Sequence, residues 1–446
     1  LRSKIIFSRK NTANKAIFGA VSSFNKNIIY SYSAQIVAVL SNFICSILVA
    51  RMIGPSGQGE LGLYTNFMAF LTLLLGMGIP SALVHFIASG KIKKEQVMTL
   101  LLIGTILPFV GIFLIFTLLN QLELLSIFLP EVILSSSKWI ALLFGHLLFM
   151  MFGQYFQSIF QAENNFKLAG ITSTTMSISL LFLYTIRYLN LVGTSHEPFH
   201  WILYSLISMA FLQVIIYKLL LFKSNPSYLQ ISKINIVNLK PMIVFSSMAF
   251  LANLIQFFNY KIDIWFINYF HHSDEMIGIY VLAVSLAQLV WLLPGALHNV
   301  LYSYVSGDDI IKEKIIKTQQ SVMNLLLYAV VAGIAGYITS IYLVPILFGI
   351  RFQEVPSIIL ILLIGIIPIA CALPISAFFA GIQKIKINLY GSILGLILCI
   401  LFDYILIPTF GIIGAAWATI ISYNATVIYY LIQFFRYKRQ SVPSHL

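Results

Sequence analysis

Apolar residues run along this chain in twelve long stretches, and polar residues are largely confined to the short connections between them. The stretches are residues 28–50, 61–88, 97–119, 138–161, 169–188, 201–222, 242–267, 277–303, 321–345, 356–381, 388–407 and 412–435. Each reaches or exceeds the ~20 residues with which a helix crosses about 30 Å of hydrocarbon. The period-two alternation of a membrane β-barrel does not occur. The pattern therefore predicts an all-α, polytopic membrane protein with twelve transmembrane helices. Composition agrees, since 446 residues that are 59% hydrophobic and only 9% charged cannot enclose their apolar surface in one soluble core. Lipid must cover much of it.

Charge sets the direction of threading. Of the 27 Lys and Arg residues, 22 fall on the side of the N-terminus, in segments 1–27, 89–96, 162–168, 218–241, 304–320, 382–387 and 436–446. Arg51, Lys138, Arg187 and Arg351 fall on the other side, and Lys261 stands inside the seventh stretch. Lys and Arg resist translocation, so both termini are expected in the cytoplasm. The formal charge of +13 is then an orientation signal and a means of contact with anionic membrane lipid. No basic block sits on a soluble domain, which argues against nucleic acid as a partner.

Residues 1–27 form a basic segment, read either as a short interfacial helix or as a disordered tail, and residues 436–446 form a second basic tail. The first stretch is too long for a signal-peptide core and has no small-residue cleavage site after it, so it is expected to be retained. Cys45, Cys371 and Cys399 all lie in apolar stretches, which argues against both a disulfide framework and a metal site. No Gly-rich nucleotide loop or zinc spacing appears, so no cofactor is expected.

An internal repeat divides the chain. Gly62-Leu63-Tyr64 opens the second stretch and Gly278-Ile279-Tyr280 the eighth, 216 positions later. Pro80-Ser81-Ala82-Leu83 recurs as Pro294-Gly295-Ala296-Leu297, and Ser89-Gly90 as Ser306-Gly307. Shared order at nearly constant spacing predicts two parallel six-helix lobes, 28–222 and 242–435, joined by a cytoplasmic linker at 223–241 and facing a central cleft. Pro80 and Pro294 would kink helices 2 and 8 at matching positions, either as hinges or as packing features. Gly54, Gly62, Gly278, Gly411 and Gly414 are read as turn and close-contact residues.

Polar side chains inside the spans are few and ordered. Gln154, Gln157 and Gln161 share one face of span 4; Gln35, Asn42 and Ser46 one face of span 1. Gln256, Asn259 and Asp263 line span 7, and Gln288, Gly295 and Asn299 line span 8. Amides facing lipid are costly, so these faces point inward, either to hydrogen-bond between helices or to line a wet cleft that suits sugar hydroxyls. Ionisable groups within spans reduce to Lys261, Asp263 and Asp403, with Arg51 at an outer end. Two residues apart, Lys261 and Asp263 project about 200° from one another and cannot pair. Lys261 either meets a ligand in the cleft or snorkels to the interface.

With these residues assembled, the chain resembles the multidrug/oligosaccharidyl-lipid/polysaccharide (MOP) exporter superfamily, and within it the Wzx-type polysaccharide and O-antigen flippases. The likeness rests on Ala50-Arg51-Met52-Ile53-Gly54-Pro55 leading into Gly59-Glu60-Leu61-Gly62-Leu63-Tyr64, on Asp263 followed by Gly278-Ile279-Tyr280, and on Pro408 with Gly411-Ile412-Ile413-Gly414-Ala415-Ala416-Trp417-Ala418-Thr419. It covers essentially the whole chain. The resemblance implies a MATE-like fold and movement of an undecaprenyl-diphosphate-linked oligosaccharide across the bacterial inner membrane by alternating access, without covalent chemistry. Other polysaccharide assembly proteins are implied as possible partners. A diphosphate calls for Lys or Arg, which puts Lys261 first and Arg51 second as substrate ligands. Asp263 and Asp403 are left as structural or coupling residues.

Three alternatives stand beside this reading. A cation-coupled drug antiporter shares the fold, but Glu60, Glu95, Glu123, Glu131, Glu163 and Glu197 are expected in loops, leaving the N-terminal lobe without a buried carboxylate. Lipid II flippases are relatives whose branch usually has fourteen helices. A membrane polysaccharide polymerase or glycosyltransferase needs acid and base groups on a sizeable loop, and the longest outer loop, 120–137, offers only Glu123 and Glu131.

Overall fold

In a computed structural model the backbone is described at residues 2–191, 197–233, 239–307 and 310–441, and side chains from residue 36 onward apart from residue 166. Thirteen α-helices carry the chain among these residues, with no strand. They are α1 (Arg2–Gly76), α2 (Ile79–Ala88), α3 (Lys94–Gln121), α4 (Glu131–Leu134), α5 (Ser137–Ala162), α6 (Phe166–Tyr188), α7 (Pro198–Ser224), α8 (Lys240–His271), α9 (Asp274–Ala287), α10 (Leu292–Val305), α11 (Ile311–Leu347), α12 (Val355–Gly381) and α13 (Ile385–Ser441).

Length turns this list into spans. Ten helical runs among the described residues are long and apolar enough to cross a membrane. Two of them are too long to cross once: the 57 residues of α13 would extend about 86 Å, nearly three times the hydrocarbon thickness. Non-helical Gly411 divides α13, as non-helical Gly54 divides α1. The side-chain bonds of α13 show that its halves fold back on each other: Ser422 donates to the Gly395 carbonyl, Thr426 to Gly391 and Tyr430 to Asn388. Each step up one half is a step down the other, so the halves run antiparallel. Counting both divided helices twice gives the twelve spans expected.

The connections at Gly54 and Gly411 are shorter than the sequence suggests. Residues 51–60 read as a loop, yet only Gly54 leaves helical geometry, at φ 68°. A left-handed glycine followed by Pro55, whose missing N–H costs nothing at a helix start, makes the bend in one residue. At the second bend, His271 Nε2 donates to the Ile407 carbonyl at 2.8 Å. The acidic residues expected in loops also shift: Glu60, Glu95 and Glu131 are helical, though near helix ends. Cys45, Cys371 and Cys399 are buried free thiols.

Spans 2 and 8 both break where the repeated prolines stand. Before Pro80, Met77 and Gly78 are left-handed, at φ 43° and 75°. Before Pro294, residues Gln288–Trp291 tighten into a 3-10 turn. Each proline stands in the first turn of the helix that follows, α2 or α10, and crowds the turn before it.

The chain packs as two compact units. Unit 1 comprises residues 1–48, 74–113 and 140–249; unit 2 comprises 49–73, 114–139 and 250–446. In unit 1, Leu147, Met151 and Tyr155 of α5 are fully enclosed with Ile202, Leu203 and Tyr217 of α7. The start of the inter-repeat linker is strapped to this unit. Tyr228 donates to Glu163 at 2.7 Å, Lys94 pairs with Glu163 at 2.6 Å, and Ser232 donates through its hydroxyl to the Glu95 carbonyl, while its N–H donates to Thr99 Oγ1 and its carbonyl accepts from that hydroxyl, both at 2.9 Å.

In unit 2, α12 is apolar all round and is the most enclosed span. Backbones meet at two glycines: a Cβ on Gly278 would overlap the Pro55 carbonyl, and one on Gly59 the Asp274 carbonyl. On the outer surface of unit 1, Ile103, Ile106, Leu107 and Val110 of α3 are exposed at half their area or more, as lipid contact requires. The protein is an integral membrane protein.

Candidate functional site

Two carboxylates from distant parts of the sequence come together inside unit 2. Asp263 lies on α8 and Asp403 on the first half of α13, at 6% and 0% exposure. The α13 hairpin makes this meeting possible, because Gly391 and Gly395 leave no Cβ where Tyr430 and Thr426 press against them. Asn259 of α8 fastens to the same hairpin through the Ser392 carbonyl at 2.9 Å.

Hydroxyl groups surround the acids. The Tyr280 hydroxyl, from α9, donates to Asp263 Oδ2 and lies 3.4 Å from Thr419 Oγ1. Asp263 Oδ1 accepts from the Ile264 N–H at 2.9 Å. Cys399 Sγ donates to Asp403 Oδ2 at 3.4 Å, while Asp403 Oδ1 is buried without a hydrogen-bond partner among the described residues. Asp403 feels the charge of Asp263, Asp263 also feels that of Lys261, and among the described residues no Lys or Arg forms a salt bridge with either acid. Two neighbouring buried carboxylates without a salt bridge are costly when both ionised, a cost that binding of a proton or a small cation would relieve. Its donors are carboxylate and hydroxyl oxygens, which suit a hard ion.

Lys261 stands two residues before Asp263 and is half-buried. Its backbone carbonyl accepts from Asn66 Nδ2 at 3.3 Å. Its ammonium has neither a hydrogen bond nor an ion pair among the described residues. Aromatic rings pack beside this segment of α8: Trp265 lies 5.2 Å from Phe70, 5.8 Å from Phe257 and 5.0 Å from Phe128. The Lys261 ammonium forms no salt bridge among the described residues and feels the charge of Asp263 two residues on, so it keeps donors that an anionic ligand could use.

The other expected residues are distributed differently. Arg51 gives Nε to the Leu347 carbonyl at 2.8 Å and Nη2 to the Ile346 carbonyl, so it caps the C-terminus of α11, where carbonyls lack helical partners. In unit 1, Gln154 is exposed and Gln157 and Gln161 half-buried, on the side of α5 opposite its enclosed residues. Asn42 is exposed on α1, and the Gln35 side chain lies outside the described residues. Gln288 is half-buried in the 3-10 turn; Asn299 is exposed, with His298 Nδ1 at 3.5 Å. Pro80 and Pro294 sit at the two breaks.

Tyr280, Thr419 and Cys399 were not singled out as site residues from the sequence. The first two do belong to the Gly-Ile-Tyr and Gly-Ala-Ala-Trp-Ala-Thr segments that carry the family resemblance. Cys399 stands one helical turn before Asp403, a spacing that places both on one face.

Comparison with known proteins bears on the whole of this arrangement. Residues 24–306 match a family described as "Polysaccharide biosynthesis protein". The capsular polysaccharide biosynthesis protein CapF of Staphylococcus aureus is 22% identical over 422 residues, covering 93% of this chain and 99% of the relative. The lipid II flippase MurJ in an inward closed conformation superposes with a TM-score of 0.69 at 18% identity, covering 91% of this chain and 87% of that one. An inward-facing multidrug resistance MATE family transporter of the MOP superfamily gives the same score at 17% identity, covering 93% and 99%. The fold is that of the MOP superfamily.

Proposed function

Because the chain belongs to the polysaccharide biosynthesis protein family, we propose that it is a flippase for an undecaprenyl-diphosphate-linked oligosaccharide. It carries the sugar unit from the inner to the outer leaflet of the bacterial cytoplasmic membrane and makes or breaks no covalent bond. Both termini face the cytoplasm, and the lobes 28–222 and 242–435, joined through 223–241, alternate access to the substrate.

The observation that supports this reading is the Lys261 ammonium, which forms no salt bridge among the described residues. A buried ammonium needs an anion or water, and a diphosphate is a compact anion that such a donor recognises. The amides Gln154, Gln157 and Gln161, with Asn42, Gln288 and Asn299, present donors and acceptors that suit sugar hydroxyls. Arg51 is a weaker candidate ligand, since two of its donors are given to the end of α11. Asp263 and Asp403 supply the coupling: uptake and release of a proton or cation at the pair changes the charge beside the substrate site as the protein cycles.

Purified protein in liposomes, given a labelled polyprenyl-diphosphate oligosaccharide, tests the proposal. The label is expected to become accessible to a glycosidase in the opposite leaflet only when the protein is present. In cells, loss of the protein is expected to trap completed lipid-linked units in the inner leaflet. Failure of those units to form at all would place the protein upstream as an enzyme.

A cation-coupled antiporter for small organic molecules is the second reading, favoured by the acid pair. Drug efflux that survives removal of all lipid-linked substrate would support it over the flippase.

A further inference from the structure

The last three turns of α13 have two unlike faces. Tyr430, Phe434 and Tyr437 point into unit 2, where Phe434 packs 5.3 Å from Phe378 and Tyr437 5.6 Å from the same ring. The basic residues on that side are occupied. Lys438 donates to Gln319 at 3.3 Å, and Lys384 lies 4.3 Å over the Tyr437 ring.

The opposite face is open. Ile428, Ile432 and Phe435 are 57%, 45% and 50% exposed, and with Leu431 they line a shallow groove that ends at Arg436 and Arg439. Positions 428, 432, 435, 436 and 439 fall on one side of a helix. Both arginines are exposed, and neither forms a hydrogen bond or ion pair among the described residues. The face therefore changes character along the helix axis. It is apolar for about 10 Å and then cationic for one turn.

That order matches an anionic phospholipid, with hydrocarbon below and a phosphodiester above. Phe435 and Arg436 mark where the hydrocarbon region gives way to head groups on the basic side of the protein. Two guanidinium groups one turn apart can each present a fork to one phosphate, which a zwitterionic lipid would have to share with its own cationic head group. We propose that this face of α13 is a binding site for one anionic phospholipid, its phosphate held by Arg436 and Arg439 and one acyl chain lying along Ile428, Ile432 and Phe435. The site is separate from Lys261 and from the acid pair, and it does not depend on what the protein transports.

The test uses the full-length protein in detergent, titrated with phosphatidylglycerol or phosphatidylcholine, with bound lipid counted by native mass spectrometry. One phosphatidylglycerol is expected to bind in preference to phosphatidylcholine, and R436Q/R439Q is expected to lower that preference about tenfold. K438Q, which alters an occupied charge on the other face, is expected to leave it unchanged. Equal retention of phosphatidylglycerol by wild type and R436Q/R439Q overturns the proposal, as does equal binding of the two lipids by wild type. Competition with undecaprenyl diphosphate separates the two sources of lipid phosphate: displacement of phosphatidylglycerol one for one would assign the face to the substrate and overturn a phospholipid site. Should R436Q/R439Q not fold, R436K/R439K keeps the charge and loses the fork. Phosphatidylglycerol preference must fall in that variant as well, and an undiminished preference refutes the site.

Discussion

At the basic end of unit 1, Glu163 takes a hydrogen bond from Lys94 at 2.6 Å and another from Tyr228 at 2.7 Å, and Lys94 also lies 5.2 Å over the Tyr228 ring. Both charges of this pair are matched. In unit 2 the balance is reversed: Asp263 and Asp403 have hydroxyl and thiol partners, and among the described residues neither they nor Lys261, which feels the charge of Asp263, forms a salt bridge. The first arrangement is complete and gains little from a ligand. The second is incomplete in both signs, and incompleteness in a low-dielectric setting is what a transported anion or a coupling cation can relieve.

Breaking the unit 2 arrangement at its cation is expected to have the largest effect. Lys261→Gln should lower translocation in liposomes about 10- to 100-fold, the range set by ~1.5–3 kcal/mol for a charge-assisted hydrogen bond, while folded yield is retained. Lys261→Arg should keep part of the activity. Undiminished transport by Lys261→Gln would return this residue to a snorkelling role.

At the acid pair, Asp403→Asn removes one of two adjacent carboxylates. Transport driven by an imposed proton or sodium gradient should fall roughly tenfold, and its dependence on that gradient should flatten. Because the pair is repulsive when ionised, the variant should unfold at the same temperature as the wild type or higher. A large loss of thermal stability with gradient dependence intact would make Asp403 a packing residue. For contrast, Gly278→Val lies two residues from Tyr280 and alters no charge. It forces a side chain into the Pro55 carbonyl and should cost about 1–3 kcal/mol in detergent unfolding.

The same contrast marks how far the sequence reaches. Span number was legible because lipid imposes a length on every helix. The one-residue bends were not: Gly54 and Gly411 sit in segments polar or broken enough to pass for loops of several residues, and only the left-handed backbone shows otherwise. Asp263 and Asp403 could be named as charges within spans, but their meeting depends on the register of the α13 hairpin, set by Gly391 and Gly395 against Thr426 and Tyr430. Arg51 was expected as a substrate ligand on charge alone. Its neighbours at the end of α11 are some 295 residues away in sequence, a contact that no local pattern announces.

The smallest effect belongs to unit 1. Burial of Glu163 works to raise its pKa, but the hydrogen bonds from Lys94 and Tyr228 and the charge of Lys94 outweigh it and hold the group below its ordinary value of 4.5. A carboxylate whose pKa is lowered on folding stabilises the folded state fully above the unfolded value, and that contribution fades as pH falls through the folded value. Wild type should therefore lose a small increment of stability below about pH 4.5 that Glu163→Gln has already lost, so the two unfolding curves should converge in acid and separate at neutral pH. With Lys94 45% and Glu163 32% exposed, the separation should be under about 1 kcal/mol. Transport by Glu163→Gln should match the wild type at neutral pH. A transport defect as large as that of Lys261→Gln would mean that the linker strap, complete as its bonding is, takes part in the cycle, and the distinction between satisfied and unsatisfied charge would no longer separate structure from function here.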